Sequence, residues 1–281
     1  MVGKGLPADG VSAPLIDGKL SAGSGGTFTT VNPATEEVLG TAADATPEDM
    51  DAAIDAARRA FDDADLAGAC SVSAFTASMH AGQGCAITTR LVVPRARYDE
   101  AVAIAASTMS SIKPGDPADS GTVCGPLISA RQRDQVQGYL DLAIAEGGTL
   151  ACGGGPPADR DVGFFIEPPV IAGLTNDARP AREEIFGPVL TVLAHDGDDD
   201  AVRIAKDSPY GLSGTVFSGD PERAAKIASR LRVGTVNVNG GVWYSADAPF
   251  GGYKQSGNGR EMGLAGFEEY LETKLVATAV N

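Results

Sequence analysis

Val189-Leu190-Thr191-Val192-Leu193-Ala194, followed by Asp199-Asp200-Ala201-Val202-Arg203-Ile204-Ala205-Lys206, sets an apolar strand before an acid-capped helix, and the alternation repeats at once. Gly214 to Phe217 reads as the next strand, Asp220-Pro221 caps a helix carrying Ala224, Ile227, Ala228 and Leu231, and Val233 to Val238 closes the block. Strands that alternate with helices return to the sheet in the same direction, so this block predicts an α/β fold with a largely parallel sheet. Upstream the same alternation holds. Leu91 to Val93 is a strand, a helix runs from about Tyr98 to Ser111, and a capping box at Ser129-Ala130-Arg131-Gln132 opens a helix that closes at Gly147-Gly148. Before these, the small-residue stretch Ala67 to Met79 predicts a buried helix that runs into a tight loop, His80-Ala81-Gly82-Gln83-Gly84-Cys85.

The first 60 or so residues have a different texture. Residues 1–13 are rich in Gly, Ala and Pro without periodicity and predict a flexible terminus. Leu15 to Gly40 reads as short strands broken by turns, with Phe28 to Val31 ahead of Asn32-Pro33. Thr46-Pro47-Glu48-Asp49 caps a helix whose apolar residues Met50, Ile54, Ala57 and Phe61 recur at helical spacing. At the other end Lys274 to Val280 is β-prone and predicts a strand that pairs with an edge elsewhere, in another copy of the chain, and so a homo-oligomer.

Composition narrows the function classes. The 281 residues are 43% hydrophobic with mean hydropathy near zero, which suits a globular chain with one or two cores. A net charge of -15, from 37 acidic and 22 basic residues, argues against nucleic acid and anionic membranes as partners, because both attract positive fields. No apolar run reaches the ~18 residues of a membrane span and the start lacks a secretory apolar core, so the expected location is cytoplasmic. Cys70, Cys85, Cys124 and Cys152 are scattered with no C-x-x-C pair, which points to free thiols and away from zinc or disulfides.

Three segments carry chemistry. Cys85 sits where two glycines let the backbone approach a ligand, and a following N–H can face an oxyanion; a thiolate there attacks a carbonyl carbon and later leaves as a thioester. A packed core thiol is the ordinary alternative. His80 and His195 are the only imidazoles; His80 reads either as a base for Cys85 or as a helix-end cap, and His195, ahead of an acidic turn, has no assigned role. Glu183-Glu184-Ile185-Phe186-Gly187-Pro188 places a carboxylate and a ring ahead of a buried strand, where they suit ribose hydroxyls and an aromatic ligand, unless the acids are simply solvated. Pro249-Phe250-Gly251-Gly252-Tyr253-Lys254-Gln255-Ser256-Gly257 is Gly-rich with one Lys but lacks P-loop spacing, leaving phosphate cradle or plain surface loop.

Taken together and in this order, the segments resemble the aldehyde dehydrogenase superfamily. Gly82 to Cys85 is similar to its G-Q-x-C nucleophile motif, Glu184 to Pro188 to its E-I-F-G-P motif, and Pro249 to Gly257 to its P-F-G-G-x-K-x-S-G motif. Gly125 to Ile128, Phe165 to Pro168 and Gly234 to Asn239 also resemble family segments, so the likeness runs over about residues 66–281, with Leu15 to Phe61 resembling the family's N-terminal end. The resemblance implies NAD or NADP as cofactor and a small aldehyde as substrate, oxidised through a Cys85 thiohemiacetal and thioester. It implies that Glu184 holds the nicotinamide-side ribose with Phe186 beside it, and that Phe250 lines the substrate tunnel.

The departure from the family lies between Phe61 and Leu66, where on the order of 150–200 residues of the dinucleotide-binding core are missing, with the oxyanion Asn and the general-base Glu. No G-x-G-x-x-G stands in their place. The expected organisation is therefore a flexible terminus (1–13), a small N-terminal remnant of the cofactor domain (14–63), a parallel-sheet catalytic domain (64–272) and an oligomerisation-type strand (273–281). Expected activity is aldehyde oxidation impaired by the missing core, with a cofactor-independent thiol esterase, or a catalytically silent remnant and oligomer partner, as alternatives.

Overall fold

Strand β9 (Leu190–His195) is the axis of the larger unit, and its alternation decides both cores. Successive strand residues point to opposite faces. Leu190 and Val192 face one cluster, with Val170, Val93 and the helix residues Cys70, Ala74, Ala101, Ala105 and Met109. Val189 and Leu193 face the other, with Ile171 and the helix residues Val136, Leu140 and Ala143. Helices thus cover both sides of a sheet whose central strands are mostly apolar.

The computed structural model describes residues 11–278 apart from 13–14, 17–18, 21–22, 34, 54–64 and 241–243. Chain contacts divide it into two units, Met1–Ala64 and Asp65–Asn281. In the first, β1 (Val11–Ser12) runs parallel to β5 (Val38–Ala43), and β4 (Thr27–Val31) pairs antiparallel on the other side of β5. β2 (Leu15–Ile16) and β3 (Lys19–Leu20) form a separate antiparallel pair. The terminus expected to be loose up to residue 13 therefore carries a strand at Val11–Ser12, because β5 offers it the free edge beside Thr41 and Ala42; residues 1–10 lie outside the described residues. Helix α1 opens at residues 47–53, and its capping is reciprocal: the Asp49 N–H donates to Thr46 Oγ1 (3.3 Å) and the Thr46 N–H to Asp49 Oδ2 (3.0 Å). The same carboxylate accepts from the Ser24 N–H and hydroxyl, at 2.8 and 2.7 Å, and these bonds hold its pKa below the usual carboxylate range. Ala57 and Phe61, the expected end of that helix, lie outside the described residues.

In the second unit, helix α2 (Leu66–Ser78) leads through a 3-10 turn into β6 (Arg90–Pro94). Next come α3 (Tyr98–Ser111), α4 (Ala130–Ala145), β7 (Thr149–Cys152), β8 (Val170–Ala172), the short α5 (Arg179–Arg182) and β9. After β9 follow α6 (Asp198–Lys206), β10 (Ser213–Val216), α7 (Pro221–Ala228), β11 (Thr235–Val238) and α8 (Gly263–Glu268). The main sheet has the order β6-β9-β8-β7. β6, β9 and β8 are parallel, whereas β7 is antiparallel at the edge. The reason is the connection: from β7 the chain returns to β8 through a Pro- and Gly-rich loop with no helix, and a parallel return needs a crossover. β10 and β11, joined by α7, form their own parallel pair.

Local sequence explains the helices. Ser129 caps α4 by accepting from the Gln132 N–H (3.2 Å), and Asp220 caps α7 through the N–H groups of Glu222 and Arg223. Ala101, Ala105 and Met109 are buried at four-residue spacing in α3. Helix α2 carries no charged residue, and the hydroxyls of Ser73 and Ser78 fold back onto the carbonyls of Ala69 and Ala74. Such a helix belongs in an interior. Cys70, Ala74 and Ala77 are fully buried, yet Val72 and Phe75, three residues apart on the same face, are 39% and 43% exposed.

Residues 273–278 form no strand within the chain, and Leu275 and Val276 are exposed. A strand exists only as a ladder, and among the described residues no strand edge pairs with that segment. Among the described residues no helix is long and apolar enough to cross a membrane.

Candidate functional site

Cys85 is the only exposed cysteine among the four; Cys70 and Cys124 are buried and Cys152 is half-buried. Its position follows from an unusual backbone path. His80, Ala81 and Gly82 take φ values of 51°, 54° and 66°, three consecutive left-handed residues just after α2. For His80 and Ala81 that conformation costs roughly 1–2 kcal/mol each, a strain kept where surrounding structure over-determines it. What determines it here is packing on both sides. Ala81 is buried in the core, and the His80 N–H donates to the Val123 carbonyl at 3.2 Å. Gly82 lies flat on the Gly187–Pro188 peptide, where a Cβ would stand 1.9 Å from the Gly187 oxygen.

That contact joins two of the sequence motifs. The loop of Glu184 and Phe186 is fixed in turn by α4: Gln132 Nε2 donates to the carbonyls of Ile185 (3.1 Å) and Phe186 (2.9 Å), and Gln135 Nε2 to Ile185 (3.3 Å). With its backbone held, the loop turns Glu184 and Phe186 outward, both exposed, while Ile185, Gly187 and Pro188 are buried. Phe186 itself is left-handed, φ 56°. Gln83 supplies a further tie, accepting from the Ile128 N–H at 2.9 Å.

Cys85 occupies the second position of a turn closed by the Ile87 N–H donating to the Gly84 carbonyl (3.1 Å). The N–H groups of Cys85 and Ala86 have no hydrogen-bond partner among the described residues, leaving two donors beside the thiol for an oxyanion. The Ala86 carbonyl accepts a 2.7 Å bond from the Ser213 hydroxyl at the start of β10. Ser213 pairs with Thr235, and Thr235 lines a cavity of about 650 Å³ bounded by β11, Tyr244, Pro249, Phe250 and Met262. The cavity is therefore one strand removed from the Cys85 turn. Phe250 is pinned there by two 2.7 Å backbone bonds exchanged with Glu261, and its ring meets Tyr244 at 5.0 Å between centroids.

Two of the remaining candidates, Lys254 and His195, have partners within the protein. Lys254 Nζ donates to the carbonyls of Lys206 (2.8 Å) and Ser208 (2.9 Å), closing the C-terminal end of α6, where a cation is favoured, and its charge is committed there. His80 is exposed and donates through its backbone only, so the cap expected of its ring is absent. His195 Nδ1 accepts from the Gly197 N–H at 3.1 Å in the turn before α6. Gln132, Ser213 and Tyr244 had no role in the sequence reading. Gln132 was visible only as part of a helix cap, and the long-range partners of Ser213 and Tyr244 leave no local signal.

The aldehyde dehydrogenase family model matches residues 20–63 and 60–276 of the chain, the two stretches meeting at the junction between α1 and α2. The chain belongs to the aldehyde dehydrogenase family. Among curated aldehyde dehydrogenases, 3-succinoylsemialdehyde-pyridine dehydrogenase of a Pseudomonas species is 45% identical over 216 residues, covering 76% of this chain and 45% of that protein. Betaine aldehyde dehydrogenase of Bacillus subtilis is 43% identical over 218 residues, 77% of this chain and 44% of that one. Of solved structures, a mutant aldehyde dehydrogenase C from Pseudomonas syringae in complex with NAD+ and octanal superposes with a TM-score of 0.71 at 46% identity, over 75% of this chain and 43% of that one. A Mycobacterium tuberculosis aldehyde dehydrogenase complexed with NAD+ gives 0.69 at 46% identity, over 73% and 42%. This aldehyde dehydrogenase chain spans about half the length of the curated relatives it matches.

Proposed function

We propose that this site is the nucleophile half of an aldehyde-oxidising centre. Cys85 adds as thiolate to the carbonyl of a small aldehyde to form a thiohemiacetal, Phe250 contacts the substrate, and Glu184 with Phe186 faces the nicotinamide end of NAD or NADP. The observation that carries this reading is that Gly82, three residues before the one exposed thiol and its two unengaged amides, packs on the loop that presents Glu184 and Phe186.

The residues present fit one end of the dinucleotide only. An outward carboxylate beside an outward ring suits a ribose and a nicotinamide. The pyrophosphate has no such partner in the Gly-rich loop, because Lys254 is committed to two carbonyls of the protein. Bound NAD supplies a hydride acceptor, and hydride transfer demands that the ring be held against the reacting carbon. No step through the cofactor follows from these residues, and the reading for this chain alone is carbonyl addition with negligible dehydrogenase turnover.

A second reading is favoured by the two free amides at Cys85. Ester cleavage needs a nucleophile and oxyanion donors but no hydride acceptor, so the chain acts as a cofactor-independent thiol esterase. Both readings are tested by assaying NADH formation with a small aldehyde and, separately, nitrophenyl ester cleavage, in the wild type and in Cys85→Ala. Cys85-dependent ester cleavage without NADH formation is expected. Robust NADH formation abolished by Cys85→Ala overturns the impairment; ester cleavage equal in both proteins overturns the nucleophile. Exposed Leu275 and Val276 support pairing of the C-terminal segment with a second copy, and the chain is read as a cytoplasmic homo-oligomer.

A further inference from the structure

The chain contains two Asn-Gly pairs, Asn239-Gly240 directly after β11 and Asn258-Gly259 beside the Gly-rich loop. An Asn before Gly is chemically fragile, because glycine has no side chain to keep its amide nitrogen from reaching the Asn amide carbon. Asn239 is protected. Its Oδ1 accepts from the Ser218 N–H (2.8 Å) and its Nδ2 donates to the Ser218 carbonyl (2.9 Å), which fixes the side chain at both ends. Asn258 has no such hold. It and Gly259 are exposed, and neither the Asn258 side chain nor the Gly259 N–H has a hydrogen-bond partner among the described residues.

Arg260 completes the arrangement. Its Nη1 donates to the carbonyls of Gly252 (2.9 Å), Asn258 (3.1 Å) and Gly259 (2.8 Å), with the guanidinium 5.2 Å from the centre of the Tyr253 ring. The Asn258 oxygen is where negative charge collects when the Gly259 N–H ionises, so a guanidinium bonded to that oxygen favours the ionised amide.

We propose that Asn258 is a site of spontaneous deamidation and isoaspartate formation, with water as co-reactant, and that the change loosens the loop that positions Phe250. The Gly259 nitrogen gives its proton to hydroxide and bonds to Asn258 Cγ. The Cγ–Nδ2 bond breaks, and ammonia leaves with a proton taken from water, which returns the hydroxide. Water then opens the succinimide. Attack at Cγ gives Asp on the normal backbone; attack at the main-chain carbonyl carbon leaves the chain running through Cβ and Cγ. In that second product the oxygen bonded to Arg260 belongs to a carboxylate, and the bond becomes charge-assisted. The backbone is then one methylene longer. The Gly259 carbonyl packs so closely on Gly251 that a Cβ there would stand 2.2 Å from its oxygen, and Phe250 and Glu261 exchange two 2.7 Å bonds on either side of this contact. A longer chain at residue 258 displaces that contact and with it the hold on Phe250.

The full native chain is kept at mildly alkaline pH for days and followed by peptide mass mapping, with fragmentation that separates Asp from isoaspartate. Expected are conversion of Asn258 to both products with isoaspartate in excess, an intact Asn239, and faster amide exchange at Phe250 and Glu261 as conversion proceeds. In the urea-unfolded chain both pairs are expected to react alike. Gly259→Ala, whose added Cβ meets nothing within 4 Å, is expected to fold normally and to slow conversion at least several-fold. An Asn258 that persists in the native chain while it converts in the unfolded one, or an Asn239 that converts as fast in the native chain, overturns the site. Conversion to Asp without isoaspartate, or at an undiminished rate in Gly259→Ala, overturns the succinimide route. Conversion that leaves exchange at Phe250 and Glu261 unchanged overturns the effect on the loop.

Discussion

The Ser213 hydroxyl donates a 2.7 Å hydrogen bond to the carbonyl of Ala86, the residue after Cys85, tying the Cys85 turn to the first residue of β10. Side-chain bonds to backbone of this kind contribute about 1 kcal/mol. Ser213→Ala is therefore expected to lower stability by about that amount and, more specifically, to accelerate amide exchange around residues 85–87. Unchanged exchange there, with or without a shift in thermal midpoint, shows that Ser213 does not hold the turn.

Thiol chemistry separates the four cysteines. Burial pushes the thiols of Cys70 and Cys124 up to about 11 and raises that of Cys152, whereas Cys85 is exposed. At pH 8 a thiol of pKa 11 is roughly 0.1% thiolate, and the thiolate is the reactive form. Brief treatment of the native protein with iodoacetamide is expected to give one adduct, at Cys85, by peptide mass mapping. Equal labelling of Cys70 or Cys124 in the folded chain contradicts the packing described.

Gly82→Ala is expected to damage both motif loops at once. The added Cβ meets the Gly187 oxygen at 1.9 Å, the Gly187 carbon at 2.1 Å and the Pro188 nitrogen at 2.5 Å, all backbone, at a residue whose φ of +66° already disfavours a side chain. The left-handed penalty alone is about 1–2 kcal/mol, and a clash with backbone adds to it. Denaturant unfolding is expected to show a loss above about 2 kcal/mol; a near-neutral result means that the two loops do not touch.

Asp198 links pH to stability. The bonds from Arg223 Nε and Nη2, at 2.9 and 2.6 Å, and then the guanidinium charge hold its pKa below the usual value of about 3.9. With the folded pKa depressed, the contribution is present above the unfolded pKa and lost as pH falls through the folded one. The pair is about one-third exposed, so its effect is modest. Asp198→Asn is expected to be less stable than wild type at neutral pH, with the gap closing below about pH 4. A gap that widens on acidification contradicts the sign.

Much of the frame was legible because its signals are local. The N-caps at Ser129 and Asp220 and the strand at Val189–Ala194 are each decided within a few residues and form as read, although the box expected at Ser129 closes on one side only, Gln132 turning its amide to the Ile185 and Phe186 carbonyls. The antiparallel edge at β7 and the separate β10–β11 pair were not legible, since direction and sheet membership are set by how the connections pack and not by the strands' own residues. The site divides in the same way. The loops carrying Cys85, Glu184, Phe186 and Phe250 announce themselves by composition, while the side chains that fasten them, Gln132 and Ser213, act across 53 and 127 residues on carbonyls that any sequence provides. The Gly82–Gly187 contact lay between the two, because both glycines were visible but not that they touch.

Helix α2, with no charged residue and with Val72 and Phe75 facing outward, has a consequence for the handling of the chain. On a molecule of net charge -15 this one uncharged helix face adds no repulsion of its own, so it is the place where a second molecule can approach against least electrostatic resistance.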